Sequence, residues 1–283
     1  MARGFGIRVA LGALWRDKVL MLLCRNIAGL GIGVALLPLV AGGALAANPL
    51  LEETIEETYP LSADGTVSIR NIEGAIRVYG SSGTDVKIVA IKRAYTRERL
   101  DGIKVGIDVK PDAIAIETVV PPKKEWGLGD RSGTVEYLIY IPQTASVSRA
   151  DLETGELLVE GMRGANTNAS LGTGRLYSHN CFSNAKLTVA RGGVDISYDW
   201  WEPRSFAIEA QIVNGGVRAW LPPDASFKLN ASSDDGNVAS DFTPKEKRQS
   251  HASSVEQTVG ESDDADFRFH AKDGNVKVSE VIW

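Results

Sequence analysis

The sequence predicts an all-β fold, a single-domain β-solenoid, on three observations. One glycine register carries apolar residues at constant offsets, the glycines are nearly evenly spaced, and turn chemistry recurs at them. Gly74, Gly155, Gly174, Gly192, Gly215, Gly236 and Gly274 define the register. Two residues after each come Ile76, Leu157, Leu176, Val194, Val217, Val238 and Val276, all apolar. Five residues before come Ile69, Ala150, Ala169, Leu187, Ala210, Ala231 and Phe269, again all apolar. Four residues after come Val78, Val159, Ser178, Ile196, Ala219, Ser240 and Val278, apolar except for the two serines. From Gly155 to Gly236 the glycines lie 19, 18, 23 and 21 residues apart, and the step to Gly274 is 38, roughly two periods.

Alternating apolar positions on either side of a glycine describe two short strands joined by a tight bend. Glycine suits the bend because positive φ costs an ordinary L-residue roughly 1–2 kcal/mol. Asp-Gly-Asn, strong turn chemistry, occurs at Asp235–Asn237 and again at Asp273–Asn275. A unit this short buries too little surface to stand alone. Stacked units share one apolar interior and hydrogen-bond at ~4.8 Å spacing, which makes a solenoid. The frequent alanines before the glycines suit a flattened coil. An antiparallel sandwich, whose hairpins would give the same pattern, is the competing fold.

A longer repeat sits above the short one. Ile141–Val147 (IPQTASV) leads to Gly155, and Leu221–Phe227 (LPPDASF) leads to Gly236. Regular coils are therefore expected over 143–283, within a domain spanning 48–283. Residues 59–142 are β-rich (Val86–Ala94, Ala113–Val120, Thr134–Ile141) but less regular, and are expected to form a cap or a looser sheet. Pro121–Ser132 and the polar run Thr243–Asp266 interrupt the pattern, the latter as a mobile loop or an extended hairpin.

Residues 1–47 read as a targeting segment. Arg3, Arg8, Arg16, Lys18 and Arg25 precede an uncharged stretch from Ile27 to Ala47, which ends in the small-x-small pattern Ala44-Leu45-Ala46. Cleavage is expected next to Ala46 and Ala47. If the segment stays uncleaved, residues 27–47 suffice as a membrane anchor. Either way the remainder leaves the cytoplasm, so a periplasmic or cell-surface location is expected. Losing five basic residues and Asp17 takes the net charge from −5 to about −9, which disfavours nucleic acid and anionic lipid as partners. Cys181 is the one cysteine left in the mature part, so no internal disulfide can form there.

The order of these segments carries a family resemblance. The segments are NIEGAIRVYG from Asn71, DVKIVAIKRA from Asp85, YLIYIPQTASVSRADLETGELLVEGMRG from Tyr137, VRAWLPPDASFKLNASSDDGNV from Val217 and FRFHAKDGNVKVSE from Phe267. Over roughly residues 59–283 the chain resembles the bacterial adhesin-like family of exported β-strand-repeat proteins, a family of unknown function. The resemblance implies a β-solenoid at the cell envelope and transfers no catalytic or binding residues. Relatives often carry a glycine-rich stretch where this chain has Gly260–Asp266 (GESDDAD), a departure that touches the loop and not the fold.

Candidate chemistry is sparse. His179 and Cys181 have the spacing of two zinc ligands, but His251 and His270 form no matching second pair, so no metal or cofactor is expected. Asp234, Asp235, Glu261, Asp263, Asp264 and Asp266 lack the recurring spacing of a calcium loop and read as a solvated acidic surface. Asp151, Glu153 and Glu156 cluster at one turn, as a carbohydrate-active enzyme on a β-helix would require of its carboxylates, but no G-x-S-x-G elbow is present. Val276–Trp283 does not read as an outer-membrane strand, because Lys277, Ser279 and Glu280 break the lipid-facing parity. Adjacent Trp200 and Trp201 fall where the spacing stretches to 23 residues, either capping the solenoid edge or contacting a glycan or partner. The expected function is that of a non-enzymatic structural or interaction protein of the envelope. A glycan-binding module is the alternative, and a carbohydrate-active enzyme the second. An envelope protein or glycan is the expected partner, and solenoid edges or faces offer a route to oligomers.

Overall fold

Each of the seven glycines of the repeat adopts a φ between +128° and +159°, a mirror-β conformation that a side chain disfavours. The computed structural model describes residues 49–122, 132–244, 251–261 and 264–281. The targeting segment, with Ala46 and Ala47, lies outside the described residues. Among the described residues no helix is long and apolar enough to cross a membrane.

The glycines lie inside long strands rather than between short ones. β1 (Leu51–Pro60), β2 (Thr66–Ser81), β3 (Asp85–Ala94), β4 (Lys104–Lys110), β5 (Ala113–Val119) and β6 (Thr134–Pro142) form the first part. β7 (Ser146–Glu160), β8 (Asn166–His179), β9 (Asn184–Ser197) and β10 (Phe206–Leu221) follow, each running unbroken across its glycine. The last two coils do divide at their Asp-Gly-Asn sequences. β11 (Phe227–Asp235) and β12 (Val238–Ser240) form one coil, and β14 (Ala265–Asp273) and β15 (Val276–Glu280) the other, with β13 (Ser254–Val259) between them in the chain. The bends are tight where Asp and Asn flank the glycine, and elsewhere the parallel ladder passes through the corner.

The glycine also resets the side-chain alternation. In β2, Ile69 and Asn71 are buried before Gly74, at odd offsets, whereas Ile76 and Val78 are buried after it, at even offsets. An uninterrupted strand keeps one parity. The switch lets both arms of each bent strand point their apolar residues into one shared interior. All residues two after, four after and five before the glycines are buried, Ser178 and Ser240 included.

Coils stack by parallel pairing in the order β2-β7-β8-β9-β10, with Gly74 beside Gly155, Gly155 beside Gly174, Gly174 beside Gly192, and Gly192 beside Gly215. The stacking then departs from chain order. β14 and β15 pair with β10, while β11 and β12 pair with β14 and β15. The last coil is thus inserted ahead of its predecessor. The polar run from Thr243 makes this possible, since β13 returns antiparallel along β11 and forms an extended hairpin with it. β15 is a strand of the stack, with Val276 and Val278 buried.

The stretch 59–142 divides. β2 is a coil in register with the rest. β5 flanks its first arm and β6 its second, both in parallel, and β3 and β1 continue antiparallel from β6. β4 and β5 form a hairpin, and Thr96 caps the short helix α1 (Arg97–Gly102), which the periodicity did not reveal. The far end of the interior is aromatic, built from Phe182, Tyr198, Phe206, Phe227, Phe267 and Phe269.

Candidate functional site

The two outward faces of the stack differ in chemistry. On the first arm, Arg70, Asp151, Ser170, Thr188, Gln211, His270 and Ser232 share one row across the strands, a polar surface. On the second arm, Leu138, Tyr140, Tyr79, Leu158, Tyr177 and Trp220 alternate with buried neighbours and therefore face outward. Tyr140 pairs in register with Tyr79, and their rings stack at 5.2 Å. Leu158 lies between Arg77 and Tyr177 in the ladder. Water-facing strand positions are ordinarily polar, so these residues make a partly apolar band, in which Glu160, His179 and Ser197 separate Tyr79 from Trp220.

Ion pairs lie within the band. Arg77 reaches Glu156 at 2.8 Å and Glu136 at 3.8 Å. The Arg218 guanidinium stacks over Trp220 at 5.2 Å and donates from Nε to Asp195 at 2.7 Å. Arg175 approaches the same carboxylate at 3.3 Å, and Asp195 is nearly buried, with 6% of its side chain exposed. Asp195→Ala would leave two arginines without their shared acceptor. Both stay about half exposed, so the expected cost is about 2 kcal/mol, short of a fully buried pair. A lower urea midpoint with unchanged slope checks it, and Arg175→Ala should cost well under half as much.

The band escaped the sequence reading because that register followed only the inward columns. Its signal was present in YLIYI at Tyr137–Ile141 and LLV at Leu157–Val159, unbroken apolar runs where one-sided strands alternate.

The bulge separates the two tryptophans. Trp201 turns inward, its ring 5.6 Å from Tyr198, 5.9 Å from Phe206 and 6.3 Å from Phe227 and Phe267. Trp200 remains 46% exposed, resting against Phe182 and donating from Nε1 to Glu202 at 3.0 Å. Arg163 donates to the same carboxylate at 2.5 Å and lies over the Phe182 ring. Its hydrogen bond, joined by that from Trp200, holds the Glu202 pKa below the usual value despite partial burial. The bulge is thus tied down at several points. Beside it, a groove of about 500 Å³ runs between the loop holding Trp201, Pro203 and Arg204, the turn at Pro223–Ser226, and the end of β13.

The remaining candidates separate in space. Cys181 is fully buried, with its thiol directed at the Val159 and His179 carbonyls, and burial pushes its pKa up. His179 instead meets Asp199 at 2.9 Å near the surface. Among the described residues no three metal-ligating side chains converge, and Asp263 lies outside them. Glu156 stands across the glycine corner from Asp151 and Glu153, paired with Arg77. Asp151 and Glu153 line a second groove of about 480 Å³ with Glu117 and Arg70. There Arg70 holds Glu117 at 3.0 Å, and Arg149 holds Asp151.

One solved structure agrees with the architecture. A candidate cell adhesion protein from Clostridium sporogenes superposes with a TM-score of 0.52 at 13% identity, covering 81% of this chain and all of that one. At that identity it shows a shared fold alone. A candidate adhesin from Bacteroides fragilis (11% identity, 80% of this chain and 97% of that one, TM-score 0.25) adds nothing to that. Nor does a candidate lipid binding protein from Parabacteroides distasonis (10%, 81% and 97%, 0.24). No curated protein matches the chain. The glycine-cornered coils over residues 61–279 match the family described as Toastrack DUF4097, and the chain belongs to that family.

Proposed function

We propose that this protein is a non-enzymatic interaction protein of the bacterial cell envelope, exported by residues 1–47 to the periplasm or cell surface. One observation carries the reading. The two outward faces of the same coils differ, and only the second arm presents tyrosine, leucine, tryptophan and arginine together. That composition is typical of the centres of protein interfaces, where aromatic residues and arginine are enriched. A rigid stack suits such a surface, because the band is held in place before the partner arrives and little ordering entropy is lost on contact. The basic-then-apolar N-terminus supports export.

A photocrosslinking amino acid placed at Tyr177 should capture an envelope component in intact cells. The same group at Gln211, on the polar arm, should capture far less. Equal capture from both positions, or fractionation of the protein with the cytosol, overturns the reading.

A further inference from the structure

We propose that the groove beside Trp201 binds a glycan that carries no acidic groups. Its volume, about 500 Å³, lies within the range of small-ligand sites. The site is separate from the aromatic band, so its ligand class does not depend on what the band contacts.

The wall comes first. Trp201 is gripped by aromatic neighbours at 5.6 to 6.3 Å, which fixes the plane of its indole, and the part left exposed borders the groove. A pyranose ring is amphipathic, with C–H groups on its faces and hydroxyls around its rim. A fixed indole gives those C–H faces a flat apolar surface at little entropic cost. Pro203 and Pro223 stiffen the flanks.

The rim groups then select the sugar. Asp224 and Glu261 accept hydrogen bonds from hydroxyls, and Arg204 donates to ring and hydroxyl oxygens. Both carboxylates are exposed, and neither has an ion-pair partner among the described residues. Arg204 lies 4.0 Å from Glu202, a carboxylate that Arg163 already holds, so the groove sets Asp224 and Glu261 against one cation. The uncompensated charge at the groove is therefore negative, which repels uronic or sialic acids and admits neutral or amino sugars. The glycine spacing of 23 residues between Gly192 and Gly215 is the length that accommodates this bulge.

Calorimetric titration of the full chain with tri-N-acetylchitotriose, cellotriose and trigalacturonate tests the assignment. At least one neutral trimer should bind and trigalacturonate should not. Trp201→Phe should weaken binding by about tenfold, and so should the double change Asp224→Asn with Glu261→Gln. The two carboxylate changes are at exposed positions and leave the fold intact even if Trp201→Phe loosens the aromatic cluster. The proposal is overturned if neither neutral trimer binds at millimolar concentration, or if trigalacturonate binds as well as they do. It is also overturned if affinity survives the double change, or falls instead on Tyr79→Ser. Crosslinking from position 177 is expected to be the same in all of these variants, so failure here leaves the envelope reading separately testable.

Discussion

Gly174→Ala is expected to lower the midpoint of thermal unfolding by about 10 °C, the loss of about 3 kcal/mol in a domain of this size. Two costs combine. At φ +138° a side chain is strained by roughly 1–2 kcal/mol. The new Cβ would also stand 1.8 Å from the Gly155 carbonyl oxygen, and relieving that clash costs about 1–3 kcal/mol. The obstacle is backbone, so no side chain can swing aside. Gly174 sits mid-stack, paired with Gly155 on one side and Gly192 on the other, and a shift there disturbs both ladders. Gly193 is the internal control. Its Cβ would meet nothing closer than 3.8 Å, so Gly193→Ala should change stability by no more than about 0.5 kcal/mol. Differential scanning calorimetry of the two variants decides the matter. Equal midpoints would show that the corner tolerates a side chain.

Truncation after Asp264 is expected to unfold the whole end of the stack beyond β10. It removes the partner that β11 and β12 share, along with the buried side chains of Phe267, Phe269, Ala271, Val276 and Val278. At about 1.5–3 kcal/mol for each large apolar side chain, these losses exceed what the remaining contacts of one coil can offset. Phe227 loses its contact with Phe267 at 5.3 Å, and β13 is left pairing with a strand that has no other neighbour. Limited proteolysis should then cut within 222–244 and 251–261 while leaving β2 and β7 to β10 resistant. Had the coils stacked in chain order, the same truncation would remove an outer layer and leave β11 paired. Deleting β1, whose one strand partner among the described residues is β3, should be milder and confined to that edge.

The contrast shows how far the residues alone carry the structure. The column of glycines, the buried positions around it and the Asp-Gly-Asn bends could be read directly. Each follows from a local demand, namely that the backbone turns at a residue without Cβ and that both arms bury alternate side chains. Even the parity switch was contained in the offsets of five before and two after. The candidate site was less legible. Trp200 and Trp201 stood out as a pair, but their division into an outward ring and an inward ring depends on Phe206, Phe227 and Phe267, which approach from three other strands.

Local pattern establishes that these segments are strands, where they bend and what each one buries. It is silent on which coil lies beside which, because all seven offer the same glycine and the same apolar columns, and a ladder between any two would satisfy them equally. Side-chain volume and chain reach set the order. Phe267 fits against Phe206 and Phe227 together, and the hairpin through β13 is long enough to carry the last coil back between β10 and β11.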